Sequence, residues 1–210
     1  KAAEQGHASA QRYFGMMCAN GFGVKQDFQE AAKWFRLAAE QNDSVAQTKL
    51  GAMYNYGMGV EQSYQEAQKW LQLAADQGND DAMNLLGLAY HTGMGVEKDN
   101  DKALMFFHEA AEEGNASAQN NLGFMYRDGI GVAKNIDEAT AWFRKASEQG
   151  NADAKTNLGK LLRDRASASE WYNTYEVIQK LLFSLDNEKE LGNDATEHSW
   201  SILDNIRGSC

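Results

Sequence analysis

Apolar and polar positions in this chain alternate on two beats at once. The short beat is helical. Between residues 42 and 77, Ala46, Leu50, Met53 and Tyr54 fall at i, i+4, i+7 and i+8, which is one face of an α-helix. After Tyr56-Gly-Met-Gly-Val60, Ala67, Trp70, Leu71, Ala74 and Ala75 line one side of a second helix. Ser63, with Glu66 three residues on, reads as a capping box opening that helix, and Gly78 as its left-handed stop. The long beat is a 36-residue period: Gly15, Gly51, Gly87, Gly123 and Gly159 are in phase, as are Ala10, Ala46, Ala82, Ala118 and Ala154. Trp34, Trp70, Phe106 and Trp142 share the beat. A period of this length marks a repeat architecture, here helix, glycine-rich turn, helix, short turn.

A glycine inside an exposed helix costs about 1 kcal/mol relative to alanine. The in-phase glycines are therefore expected to admit a second helix pressed against the backbone of the first. Cap chemistry also recurs: Asp27 with Glu30, Ser63 with Glu66, Asn135 with Glu138, but Asp99 with Lys102. The turns Gly21-Phe-Gly23, Gly57-Met-Gly59, Gly93-Met-Gly95 and Gly129-Ile-Gly131 lack the third glycine and the preceding strand of a dinucleotide loop, and read as helix–helix turns with positive φ.

The pattern weakens after residue 165. Arg163-Asp-Arg-Ala-Ser has no glycine-rich turn. Trp171, Tyr172, Tyr175, Ile178, Leu181, Leu182 and Leu185 then form an amphipathic run that is expected to cap the stack. The expected organisation is therefore repeats over 1–165 (a truncated first unit, four full units, an incomplete fifth), a capping helix over 166–186, and a linker with a short helix (Asp194 to Ile206) over 187–210. The fold class is all-α, an α/α superhelical solenoid expected to be right-handed.

Composition narrows the function. Lys and Arg total 20 against 30 Asp and Glu, a net charge of −10. That argues against nucleic acid, whose phosphates need a basic face, and against an anionic membrane surface. No run approaches the ~20 apolar residues of a membrane span. The two cysteines, Cys18 and Cys210, build neither a disulfide framework nor a metal knuckle. Cys18 stands where other units have Tyr54, Tyr90 and Tyr126, and is expected to fill core space. His7, His91, His108 and His198 form no metal-ligand spacing, and pairs such as Asp80-Asp81 and Glu112-Glu113 read as solvated surface. The sequence thus calls for no catalytic residues, no metal and no cofactor. The opening KAAEQG matches the end of a repeat, so a missing upstream part is expected. On that ground a bacterial periplasmic or secreted setting is favoured over the cytoplasm.

The segments SVAQTKLGAMYNYGMGVEQSYQEAQKWLQLAADQG (44–78) and ASAQNNLGFMYRDGIGVAKNIDEATAWFRKASEQG (116–150) resemble the Sel1-like repeat family, a relative of the tetratricopeptide repeat. The resemblance covers about residues 1–165. It implies a stack that serves as an adaptor or scaffold in protein–protein interaction. It also implies that the first helix of each unit lines a concave face. Carried over residue by residue, that face comprises Arg12, Met16 and Asn20 in the first unit and Thr48, Asn55 and Tyr56 in the second. The third contributes Asn84, Leu88 and His91, the fourth Asn120, Phe124 and Arg127, and the fifth Thr156, Lys160 and Arg163. These positions vary in phase, so they are free to serve specificity. Their charged members are all basic, which points to an acidic segment or a C-terminal carboxylate as partner. The amides of Asn55, Asn84 and Asn120 suit an extended chain. The alternative functions are a dedicated inhibitor of the bacterial immunity type, which occludes an effector, and an accessory factor in cell-envelope processes.

Overall fold

The computed structural model describes residues 2–190, apart from the side chains at 169, 170 and 181–190. The short helix expected over Asp194–Ile206 lies outside the described residues. Within them all regular structure is helical: α1 (Ala8–Asn20), α2 (Phe28–Ala39), α3 (Ser44–Tyr56), α4 (Tyr64–Ala75), α5 (Asp80–Thr92), α6 (Asn100–Glu112), α7 (Ala116–Asp128), α8 (Ile136–Glu148) and α9 (Ala152–Glu190). Each first helix packs on its own second helix, and α2, α4 and α6 each pack on the next first helix. The result is a solenoid of tandem helix pairs. The chain divides into two compact units, 1–158 with the four pairs and the start of α9, and 159–210.

The in-phase glycines act as expected in four pairs. A Cβ on Gly51 would stand 2.7 Å from Leu71 Cγ, one on Gly87 2.6 Å from a ring carbon of Phe107, and one on Gly123 2.5 Å from Phe143. Gly15 meets the Phe35 ring at 3.0 Å. Phe107, Phe143, Leu50, Leu71, Leu86 and Leu122 are fully buried, each worth roughly 1.5–3 kcal/mol. Cys18 is buried in the same cluster as Phe35 and Leu50, as expected, and burial pushes its thiol pKa up.

Gly159 breaks the rule, with nothing within 4 Å of where its Cβ would stand. The reason is α9. The expected break after residue 165 is absent, and one helix runs from Ala152 to Glu190. Arg163-Asp-Arg-Ala-Ser contains neither glycine nor proline, so nothing in it stops a helix. Among the described residues no second helix therefore folds back over Gly159. Trp171, Tyr172 and Tyr175, the residues expected to seal a cap, are exposed.

The expected N-caps hold the second helices. Asp27, Ser63, Asp99 and Asn135 each accept a backbone N–H from the first turn. The glutamate arm of the capping box is not needed. The backbone N–H of each cap residue already donates to the end of its partner first helix, as from Asp27 to Cys18 (2.9 Å) and from Ser63 to Tyr54 (3.0 Å). Glu30 instead accepts the Trp34 indole N–H at 2.9 Å.

Two features join one pair to the next. From the second turn onward, the second glycine lies against the start of the preceding second helix. A Cβ on Gly59 would overlap the Phe28 carbonyl, one on Gly95 would overlap Tyr64 Cβ, and one on Gly131 would sit 2.8 Å from the Asn100 carbonyl oxygen. Buried glutamines form the other link. Gln47 Nε2 donates to the Ala39 carbonyl of the preceding pair (3.1 Å), and Gln47 Oε1 accepts from Gln77 of its own pair (2.7 Å). Gln119 does the same with Ala111 (3.1 Å) and Gln149 (2.8 Å). In the third pair these positions are Met83 and Glu113, and Met83 packs into the apolar core instead.

Candidate functional site

The first helices α5 and α7 lie in consecutive pairs, so residues 36 apart stand side by side. On α5, Leu88 and His91 are one turn apart on one face; on α7, Asn121, Phe124, Met125 and Asp128 are likewise grouped. Between them opens a cavity of about 150 Å3, lined by Leu88, His91, Phe107, Asn121, Phe124, Met125, Asp128 and Ile130. Phe107 and Met125 are buried, Leu88 and Phe124 are half-buried, and Ile130 enters from the α7–α8 turn.

Phe124 is fixed from two sides. Its ring stands edge to face with Phe143, centroids 5.6 Å apart. The Arg127 guanidinium lies 4.5 Å from its centroid. Arg127 also donates from Nε and Nη2 to the two oxygens of Asp128, at 2.7 and 2.6 Å. That hydrogen bonding is the main cause that holds the Asp128 carboxyl below the usual range and raises Arg127. On the other wall, His91 Nδ1 is 3.1 Å from Asn100 Oδ1.

The remaining residues singled out by phase divide into three groups. Thr48, Asn84 and Asn120 are buried at 3%, 8% and 8% exposure. The single Thr48 hydroxyl hydrogen is shared between the Ser44 carbonyl, 2.8 Å from Oγ1, and Asn79 Oδ1, 3.0 Å from it. Asn84 Oδ1 accepts from Asn121 at 2.9 Å, and Asn120 Oδ1 from Asn157 at 3.0 Å. These groups join neighbouring pairs, and the expected open amide ladder is therefore not formed. Asn55 is half-buried and its carbonyl accepts from Gln62. A second group lies on accessible surface away from the cavity. Tyr56 is 60% exposed, Asn20 is exposed and donates to the Met16 carbonyl, and Met16 is partly buried against the first core cluster. Thr156 is exposed and donates to the Ala152 carbonyl. The third group is charged. Arg12 Nε is 3.0 Å from Asp43 and its guanidinium lies over the Tyr13 ring. Lys160 and Arg163 are exposed and belong to the unit that begins at Gly159.

Phase variation therefore found Leu88, His91 and Phe124 in the cavity and missed Asp128 and Ile130. The signal for Asp128 was present, because Tyr56, Thr92 and Asp128 share one phase. Ile130 was hidden as the apolar middle of a glycine turn. Among the described residues no group of three acidic, histidine or cysteine side chains is placed to hold a metal ion. No described helix is long and apolar enough to cross a membrane.

The sequence model of the Sel1 repeat matches residues 8–43, 44–79, 80–115 and 116–151. No curated protein sequence matches the chain. Among solved structures it is similar to c5321, described as a protective antigen present in uropathogenic Escherichia coli strains displaying an SLR fold. Identity is 37% and the TM-score 0.71, over 76% of this chain and 34% of that one. It is likewise similar to a Sel1 repeat protein from Oxalobacter formigenes, at 37% identity and a TM-score of 0.72, over 75% of this chain and 62% of that one. The immunity protein Pa5087 from Pseudomonas aeruginosa is 26% identical with a TM-score of 0.53, over 73% of this chain and 56% of that one. The chain thus spans about a third of c5321 and about three fifths of the Oxalobacter protein.

Proposed function

The chain belongs to the Sel1 repeat family, and on that premise we propose that it is a non-catalytic binding module which holds a protein segment on the face of α1, α3, α5 and α7. Sel1 repeats bind protein partners, and the solved relatives are bacterial. One observation carries the reading. Three residues that vary in phase, Leu88, His91 and Phe124, meet around one cavity and form a half-open apolar hollow framed by polar groups. Such a hollow suits an anchor side chain, with the polar groups fixing the segment around it.

The test is affinity for the native partner, captured from the source organism and identified by mass spectrometry. Phe124→Ala and Arg127→Ala are each expected to lose about 2 kcal/mol of binding or more, as central anchors do. Losses under about 0.5 kcal/mol at both positions, the range of neutral surface changes, would retire the assignment. The likeness to an immunity protein motivates a second reading, a dedicated inhibitor. It requires one tight partner whose activity falls when this chain binds, measured by titrating the partner's activity with purified protein.

A further inference from the structure

Taking the first-helix face as the binding surface, as proposed above, we propose that the hollow between α5 and α7 selects a basic segment that inserts one aromatic side chain. Size comes first. The cavity is about 150 Å3, and a cavity of about that volume lined by Leu, Ile and Phe takes up a benzene-sized molecule. The lining agrees. Leu88 and Ile130 are partly exposed, and Phe107, Phe124 and Met125 contribute aromatic rings and a thioether, the surroundings that an entering ring prefers.

Charge settles the flanks of the anchor. Two cations on the first helices, Arg12 and Arg127, are paired, Arg12 with Asp43 and Arg127 with both oxygens of Asp128, while Lys49 on α3 is exposed. Each pair is close to neutral, so neither cation offers a segment an uncompensated positive charge. Each Asp128 oxygen keeps a lone pair beyond the one Arg127 uses, and hydrogen bonds from Arg127, with a smaller pull from Lys134, hold its carboxyl below the usual range. The whole chain carries −10. The field around it therefore steers cationic segments inward and repels acidic ones. The basic segment proposed here stands in place of the acidic one expected from the sequence.

A displayed library of random peptides, about 12 residues long, panned on the full chain tests this. The same library is panned on Leu88→Trp and Ile130→Trp, which fill the hollow, and on Asp128→Asn, which frees Arg127. Thermal unfolding checks that each variant is folded. Enriched peptides should share one aromatic residue with Lys or Arg close by. Replacing that aromatic by Ala, or filling the hollow, should weaken the peptide's Kd by about tenfold or more. Asp128→Asn should shift enrichment from basic toward acidic flanks. Peptides without an aromatic, peptides with acidic flanks on the unmodified chain, equal binding to the filled variants, or a library that yields no binder would each overturn the inference. If the native partner still loses affinity at Phe124→Ala while the library fails, the first-helix face stands and only this inference falls.

Discussion

Glu30 and Trp34 act as one device. The carboxylate one turn earlier accepts the indole N–H at 2.9 Å, and it also binds Lys33 at 3.0 Å. The same spacing repeats as Glu66 with Trp70 and Glu138 with Trp142, whereas the third unit pairs Lys102 with Phe106. A phenyl ring has no N–H to satisfy, so the acceptor is free to change, and Lys102 turns instead to Asp99 and the Tyr90 ring. Trp70 Nε1 is buried with no partner, and Glu66 stands where its acceptor belongs. Phe106→Trp alone should therefore destabilise, by about 1–3 kcal/mol for an unmet buried donor plus overpacking. Adding Lys102→Glu should recover about 1 kcal/mol, read as the urea midpoint. Acid tests the carboxylates. Arg127 hydrogen bonds lower the Asp128 pKa, and hydrogen bonds from Lys33 and then Trp34 lower that of Glu30. A pKa lowered by folding stabilises above the unfolded value, about 3.9 for Asp and 4.3 for Glu, and that contribution fades as pH falls through the folded value. The Tm should accordingly drop below about pH 4.5, and Asp128→Asn with Glu30→Gln should flatten that limb of the profile.

At the scale of the element, local chemistry was readable. Side-chain caps at Asp27, Ser63, Asp99 and Asn135 and the apolar faces of α3 and α4 follow from neighbours a few residues apart. What joins one helix pair to the next was not, because the contacting residues lie about 30 positions away. Gly23 and Gly59 show the difference. Both have positive φ, +71° and +69°, and the sequence offers no way to tell them apart. A Cβ on Gly23 would meet only Met17 Cε at 3.7 Å, while one on Gly59 would run into the Phe28 carbonyl. Gly23→Ala should cost about 1–2 kcal/mol, the left-handed conformation alone. Gly59→Ala should cost clearly more, about 3 kcal/mol or above, since backbone must move as well. Denaturant midpoints of the two variants decide this. The continuous α9 illustrates the opposite limit: loss of the glycine turn was read as the end of a unit, but a stop needs a residue that stops, and 160–168 holds none.

For the whole molecule, the 36-residue beat made the solenoid legible and left the proposed binding face half legible. Phase variation marks positions that do not hold the common frame. Leu88, His91 and Phe124 answer to that description, but so do Thr48, Asn84 and Asn120, which vary because each joint between pairs solves its own hydrogen-bonding problem. The cations Arg12 and Arg127 were read as free, because their partners Asp43 and Asp128 gain meaning only once the helices are in place. The joints themselves are unequal. Where Gln47 and Gln119 tie a first helix to the pair before it, the third pair has Met83 and Glu113. Amides at the start of α5 should exchange with solvent about fivefold faster than those at the starts of α3 and α7, the worth of roughly one hydrogen bond. Met83→Gln together with Glu113→Gln should close that gap, read by hydrogen exchange. With that gap the solenoid would bend most readily ahead of α5, and the walls of the hollow, both beyond it, would travel together. A captured partner would ride on the stiff forearm as the earlier pairs swing to find whatever else they hold.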